Sequence, residues 1–284
     1  MSILSLRAGR LAVELAPQAG GSIARFRYDD TLDLMRPMTE EAIASSRGNA
    51  AACYPLVPFS NRIADGRLLF DGQEHRLEAN WPGVRHPMHG EGWARAWDVV
   101  RHDPASAELV HEHDGRKGWP FRYRARLSFR LDDGGLAVRM AIENLERRAV
   151  PAGIGLHPFF TRDADSTLAF RATGVWLGDA EVLPVERVAL PPEWDYSTSR
   201  PVEPGLDNCF EGWDGRALIT WPGRRLKLEL EASQPFRHAV VYTPADRPYF
   251  CVEPVSHANG KVADARLEPG ATLAGDIAFR PSTL

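Results

Sequence analysis

From Phe121 to Leu131 the chain alternates without a break. Phe121, Tyr123, Ala125, Leu127, Phe129 and Leu131 interleave with Arg122, Arg124, Arg126, Ser128 and Arg130. A period of two puts every apolar residue on one face of a strand, and no helix could bury that set on one side. Asp132-Asp133-Gly134-Gly135 follows as a turn composition, after which Leu136, Val138, Met140 and Ile142 resume the alternation. The pair is therefore expected to be a β-hairpin. Leu11-Val13-Leu15, Leu226-Leu228-Leu230 and the run Ala239 to Thr243 repeat the strand pattern, and 24 glycines and 22 prolines punctuate nearly every gap. The one plausible helical turn lies near Thr39 to Ala44. Many short strands without alternating helices predict an all-β sandwich of antiparallel sheets. No repeat, low-complexity tract or linker divides the chain, so residues 1–284 read as a single domain.

A length of 284 residues, 44% hydrophobic and 25% charged, is enough for a sizeable core. The net charge of −4 comes from 34 basic and 38 acidic residues spread along the sequence. No field emerges that would gather nucleic acid or an anionic membrane, and a small neutral ligand fits better. The start, Met1 to Arg7, lacks the charged segment and long apolar stretch of a signal peptide, and no later run approaches a membrane span. A cytoplasmic location is expected. Cys53, Cys209 and Cys251 are odd in number, widely spaced and set in apolar surroundings, so they read as core thiols.

Two segments place one ionisable side chain inside an apolar run: Gly153-Ile154-Gly155-Leu156-His157-Pro158-Phe159-Phe160 and Phe250-Cys251-Val252-Glu253-Pro254. Burial disfavours the charged form, raising a carboxyl and lowering an imidazole, so both groups move toward neutrality. Glu253 and His157 then suit a general base and general acid. The alternatives are a carboxylate satisfied by an arginine and a satisfied core histidine. Asn61 and Arg62 close the proline-studded segment from Pro55, and an amide beside a guanidinium suits a ligand covered in hydroxyls. Arg62 bonding loop carbonyls is the competing reading. His89 precedes Gly90, which permits close backbone approach to a ligand, and Trp93 could offer an apolar face. His111-Glu112-His113 puts two imidazoles on one strand face, but with no third ligand in view it reads as a solvated loop or edge. His75, His86, His102, His238 and His257 receive no role.

In order, Gly20-Gly21-Ser22-Ile23, Asn61-Arg62-Ile63 with a following Asp-Gly, His89-Gly90, His157-Pro158-Phe159-Phe160, Leu206-Asp207-Asn208-Cys209-Phe210 and Val252-Glu253-Pro254 resemble the aldose 1-epimerase (galactose mutarotase-like) family. The likeness runs from about Leu11 to Phe279. It implies a β-supersandwich, a monomer or homodimer, no metal or organic cofactor, and an isomerase acting on a monosaccharide by interconverting the α and β anomers of a free sugar. By motif, His157 resembles the general acid, Glu253 the general base, and His89 a second imidazole at the reacting end. Asn61, Arg62 and Asp207 resemble ligands of the sugar hydroxyls, although an Asp-Asn pair near a turn is also a common local cap.

That chemistry needs such a set. Opening a pyranose hemiacetal removes a proton from the C1 hydroxyl and delivers one to the ring oxygen; rotation about C1–C2 and closure then reverse both transfers. Each acid or base is worth roughly 10²–10⁴ in rate. One departure stands out: the family's His-Pro-Tyr-Phe continues Asn-Leu, whereas here Thr161-Arg162 follows. A cation near the sugar would favour a phosphorylated or acidic substrate, as in the hexose-6-phosphate 1-epimerase branch, with Arg85 and Arg162 as its bearers. Val252 to Gly260 looks more like the free-aldose branch, so a neutral sugar is preferred. A non-catalytic sugar-binding protein on the same scaffold is the third possibility, and retention of both His157 and Glu253 speaks against it.

Overall fold

A computed structural model of the protein describes residues 3–81, 83–116 and 118–284. Met1 and Ser2, which open the segment read for a leader, lie outside them. The hairpin forms as the alternation requires: Arg122–Asp132 pairs antiparallel with Gly135–Asn144, from Tyr123 opposite Asn144 to Asp132 opposite Gly135. Tyr123, Ala125, Leu127, Phe129 and Leu131 are buried. The outward arginines pair across strands, as Arg124 does with Glu112 at 2.6 Å and Glu143 at 3.0 Å. Exposed pairs of this kind each contribute up to about 1 kcal/mol, so the buried face, at about 1.5–3 kcal/mol per large side chain, holds the hairpin in place.

The hairpin belongs to a nine-stranded sheet that packs on an eleven-stranded one, with antiparallel pairing throughout both. This is the all-β sandwich expected. Phe26 and Phe160 of the larger sheet meet Phe279 of the smaller at 6.5 and 6.2 Å between ring centroids, and Phe250 packs on Phe160 at 5.9 Å. The short helix Glu40–Ala44 is capped by Thr39, whose hydroxyl accepts from the Ala42 amide. Cys53, Cys209 and Cys251 are buried free thiols. No described helix is long and apolar enough to cross a membrane.

One expectation fails here. Ser106–Asp114 is an interior strand of the nine-stranded sheet, and His111 and His113 are buried in it, neither solvated nor at an edge. His113 is stacked on Tyr123 at 5.1 Å and bonds the Trp119 carbonyl through Nε2 at 2.8 Å, while burial pushes His111 down to about 4. A neutral imidazole packs as an aromatic residue, and alternation alone does not distinguish it from a polar outward one.

The central strands of the larger sheet position the site. Cys53–Leu56, Gly155–Thr161, Tyr249–Val255, His238–Tyr242 and Asp207–Glu211 lie side by side in that order. Both of their faces are covered. Phe160, Phe250 and Val252 point into the main core, whereas Tyr54, Phe159, Cys209, Val240 and Cys251 form a second apolar cluster on the opposite face. Strands buried on both sides read as continuous apolar runs, which is how the two motif segments read in sequence.

Candidate active site

His157 and Glu253 are a cross-strand pair. Gly155 lies opposite Val255 and Phe159 opposite Cys251, so the register sets His157 facing Glu253 from the neighbouring strand. Cross-strand partners share a face and their side chains meet. Each of the two is followed by a proline, Pro158 and Pro254, and a proline offers no N–H to a ladder. Pairing between these strands skips from Gly155 to Phe159, so the ladder opens where the two polar residues stand. Glu253 therefore sits within its strand, not at the strand end.

His157 Nε2 lies 3.2 Å from Glu253 Oε1, and both side chains are buried. Glu253 Oε2 and His157 Nδ1 have no hydrogen-bond partner. No arginine satisfies the carboxyl: Arg62 acts on it only through space. Burial, reinforced by Asp207, holds the Glu253 carboxyl well above the usual range, against the pull of Arg62. Burial likewise holds His157 well below its usual value, with help from His89 and Arg36. A neutral pair is thus favoured in the free protein, one proton shared between the two residues and residing on the carboxyl.

The pair opens on a cleft of about 260 Å³ lined also by Asn61, Arg62, His89 and Asp207, the other residues that the family resemblance assigns to the site. Asn61 and His89 come from two loop segments that clasp each other. The Asn61 amide donates to His89 Nδ1 at 3.1 Å, and the His89 amide to the Asn61 carbonyl at 2.9 Å. Since Nδ1 accepts, the neutral ring carries its proton on Nε2. Burial and Arg62 push His89 down to about 3, so it is a neutral hydrogen-bond donor at neutral pH. Asn61 and His89 hold φ values of 56° and 63°, backbone conformations that cost of order 1–3 kcal/mol and persist only where the surroundings enforce them.

The enforcement comes from residues that the sequence did not single out. Asn80 grips both sides of His89, its Nδ2 donating to the carbonyls of Met88 and Gly90 at 3.0 and 2.7 Å and its Oδ1 accepting from the Met88 amide at 2.7 Å. His257, given no role above, accepts the Ser60 amide on Nε2 and donates from Nδ1 to the Ala258 carbonyl. Only the tertiary contact reveals what either one does. Gly90 approaches protein, not ligand: a Cβ there, at φ +66°, would lie 2.1 Å from the Val57 carbonyl oxygen. Gly90→Ala is therefore expected to cost about 2–4 kcal/mol, read as a lowered urea midpoint at unchanged m-value; an unshifted midpoint would show that the loops are free to separate.

Asp207 stands on the strand Asp207–Glu211 opposite Tyr242 and lines the cleft; it is not a local turn pair. Burial raises its carboxyl, with Arg62 opposing. Arg62 is half-buried, and its guanidinium makes no hydrogen bond or ion pair with any described residue. The aromatic wall differs from the expected one. Trp93 is buried behind the cleft, donating to the Gly90 carbonyl at 3.0 Å, and Trp81, packed against it at 4.9 Å, lines the cleft instead. Arg85 pairs with Asp65 and Glu181, and Arg162 donates to the Arg247 carbonyl at 2.7 Å; neither lines the cleft. Arg36 does.

Among the described residues, His157, Cys251 and Glu253 bring one possible metal-ligand atom each within 4.8 Å of the others. Burial keeps the Cys251 thiol protonated, well above its usual range, as it does the Glu253 carboxyl. A thiophilic cation would have to displace both protons to bind, which opposes it at neutral pH.

A profile described as aldose 1-epimerase matches residues 2–280. The uncharacterized protein YphB of Escherichia coli K12 is 34% identical over 267 residues, covering 91% of this chain and 89% of YphB. A crystal structure of a candidate aldose 1-epimerase from Escherichia coli K12 superposes with a TM-score of 0.92 at 30% identity, covering 100% of this chain and 99% of that one. Galactose mutarotase of Rattus norvegicus is 26% identical over 137 residues, 46% of this chain and 38% of its own.

Proposed function

This chain belongs to the aldose 1-epimerase family, and from that premise we propose that it interconverts the α and β anomers of a free hexose by acid/base ring opening and closure. One observation carries the reading. A carboxyl and an imidazole face each other 3.2 Å apart, each with an unpartnered atom, in a cleft sized for a single sugar ring.

A hemiacetal supplies a hydroxyl on C1 and the ring oxygen on the same carbon. Glu253 takes the C1 hydroxyl proton while His157 protonates the ring oxygen, and the C1–O5 bond breaks to leave an aldehyde. Rotation about C1–C2 presents the other carbonyl face. His157 then takes back its proton as the C5 oxygen attacks C1, and Glu253 returns the other. No net proton is consumed. Since burial rests the shared proton on Glu253, sugar binding must move it to His157. Hydroxyls donating to the carboxylate and the nearby Arg62 charge both favour that transfer. His89, neutral with its proton on Nε2, donates to the oxygen on which charge develops during opening. Asn61, Arg62 and Asp207 hold the remaining hydroxyls, and fixing the ring against the pair supplies positioning.

The test is polarimetry or one-dimensional exchange NMR on freshly dissolved α-glucose and α-galactose. Equilibration well above the buffer rate, lost in Glu253→Gln, is the expected outcome. Binding without acceleration would assign the chain instead to the non-catalytic sugar-binding class. A monosaccharide is the only partner this reading requires, and the site residues act as a set drawn from one protomer.

A further inference from the structure

His157 is held by a face of its ring and not by its second nitrogen. A histidine that moves protons is ordinarily oriented by a hydrogen bond at the nitrogen turned away from the chemistry. Here Nε2 faces Glu253 at 3.2 Å, and Nδ1 is buried without a partner. One bond at one nitrogen does not fix an imidazole. The torsion that joins the ring to Cβ is broad and two-fold, and a half-turn about it exchanges the positions of Nε2 and Cε1. A flipped ring would present carbon to Glu253 and to the sugar.

Phe159 stands in the way of that turn. It lies two residues along the strand Gly155–Thr161, on the same face as His157, and its ring is stacked on the imidazole at 4.3 Å and 12°. An imidazole turned edge-on would drive into it. Tyr54, opposite His157 on the neighbouring strand, and His89, crossing at 78°, close in at 4.7 and 5.3 Å between centroids. The Phe159 wall is itself anchored. Its amide donates to the Ala52 carbonyl at 2.9 Å, its carbonyl accepts from the Arg36 amide at 2.7 Å, and Tyr249 meets its ring at 5.1 Å and 86°. The Arg36 guanidinium carbon stands 3.9 Å from the Phe159 centroid, and since His157 occupies one face of that ring, the cation covers the other. Arg36 Nη2 donates to the Ala51 carbonyl at 2.7 Å, which ties the stack to the backbone.

We propose that Phe159 is a positioning residue for ring opening: it holds the His157 imidazole in the one orientation that turns Nε2 toward Glu253 and the substrate, and Arg36 pins it from behind. This rests on the anomerase reading above and adds to it two residues that act through His157. The arrangement has a chemical use. An acceptor at Nδ1 would make the imidazole more basic, whereas holding the ring by its face leaves the protonated form a stronger acid toward the ring oxygen.

Steady-state kinetics by exchange NMR, together with nitrogen spectra of the His157 ring assigned by their loss in His157→Asn, would test this. Phe159→Leu keeps an apolar side chain but removes the flat wall; it should lower kcat by about 10- to 100-fold and leave KM within about threefold of the wild type. Phe159→Tyr, which restores a ring, should recover most of that loss. Arg36→Met should lower kcat by less, about three- to tenfold, again at constant KM. A raised KM at unchanged kcat would instead make Arg36 a sugar ligand and remove it from the proposal. The wild-type ring should show one neutral tautomer, and Phe159→Leu shifts averaged between two. A lowered melting temperature with unmoved ring nitrogens, unchanged kcat in Phe159→Leu, or a wild-type ring already averaged would overturn the proposal while leaving the anomerase reading intact. If Phe159→Leu does not fold, kcat and the ring nitrogens of Arg36→Met decide. If the wild type accelerates no sugar, the anomerase reading falls, and the ring spectra still decide whether Phe159 holds His157.

Discussion

Glu253→Gln is expected to lower kcat by about 10²–10⁴-fold while making the protein more resistant to heat at pH 8. The two effects share one cause. Glu253 is buried with an unpartnered Oε2, and its carboxyl is held well above the usual range. A group whose folded pKa is raised contributes stability that is fully present below its unfolded value and is lost as pH rises through the folded one. At pH 8 the unfolded chain carries an ionised carboxylate, so folding must either bury that charge or capture a proton. Glutamine removes this requirement, and its amide can still donate toward His157. Thermal melts at pH 5 and pH 8 should show the variant's advantage growing with pH. An equal shift at both would mean that the carboxyl is not protonated in the fold. His157→Asn should lose rate to a similar degree, and the double variant should lose little more than either single one, because the two residues act as a unit. Independent, additive losses would argue against a shared proton.

The pH–rate profile of kcat/KM should be a bell centred near neutrality. The working state holds one proton on the pair, whichever member carries it at a given moment. Below the bell the pair gains a second proton and no base remains; above it the last proton is lost and no acid remains. Burial, which raises Glu253 above its ordinary 4.5 and lowers His157 below its ordinary 6.5, favours the singly protonated neutral pair. His89, pushed down to about 3, stays neutral across the whole range and contributes no limb. Stability should follow a similar outline. Below pH 4.5 the unfolded chain binds both protons and the folded pair only one, so stability falls with falling pH. Above pH 6.5 the unfolded chain releases both while the folded pair retains one, so stability falls with rising pH. The Glu253→Gln/His157→Asn variant should flatten this dependence, and a profile unchanged in it would place the titration elsewhere.

Much of this was legible before any coordinates. The hairpin Arg122–Asp132 with Gly135–Asn144 follows from alternation, because a period of two has one solution when one face must be buried. Glu253 and His157 stood out because ionisable groups inside apolar runs are costly, and both line the cleft together with Asn61, Arg62, His89 and Asp207. Where the reading failed, the cause was orientation. Trp93 and Trp81 are both tryptophans near the His89 loop, and which one turns toward the cleft depends on packing between them. Arg36, Arg85 and Arg162 have the same side chain, and only the positions of Phe159, Asp65 and the Arg247 carbonyl assign them different work. His111 and His113 are polar in name but pack as aromatic rings in a buried strand.

The sequence by itself determined the strands and which two ionisable side chains stand inside apolar runs, because periodicity and the cost of burying charge act over a few residues. Tertiary structure decided the rest. The register between Gly155–Thr161 and Tyr249–Val255 sets His157 against Glu253 across nearly a hundred residues of chain. The bond from the Ser60 amide to His257 likewise joins segments far apart in sequence. Distances between remote side chains depend on the packing of two whole sheets, and no local pattern encodes them.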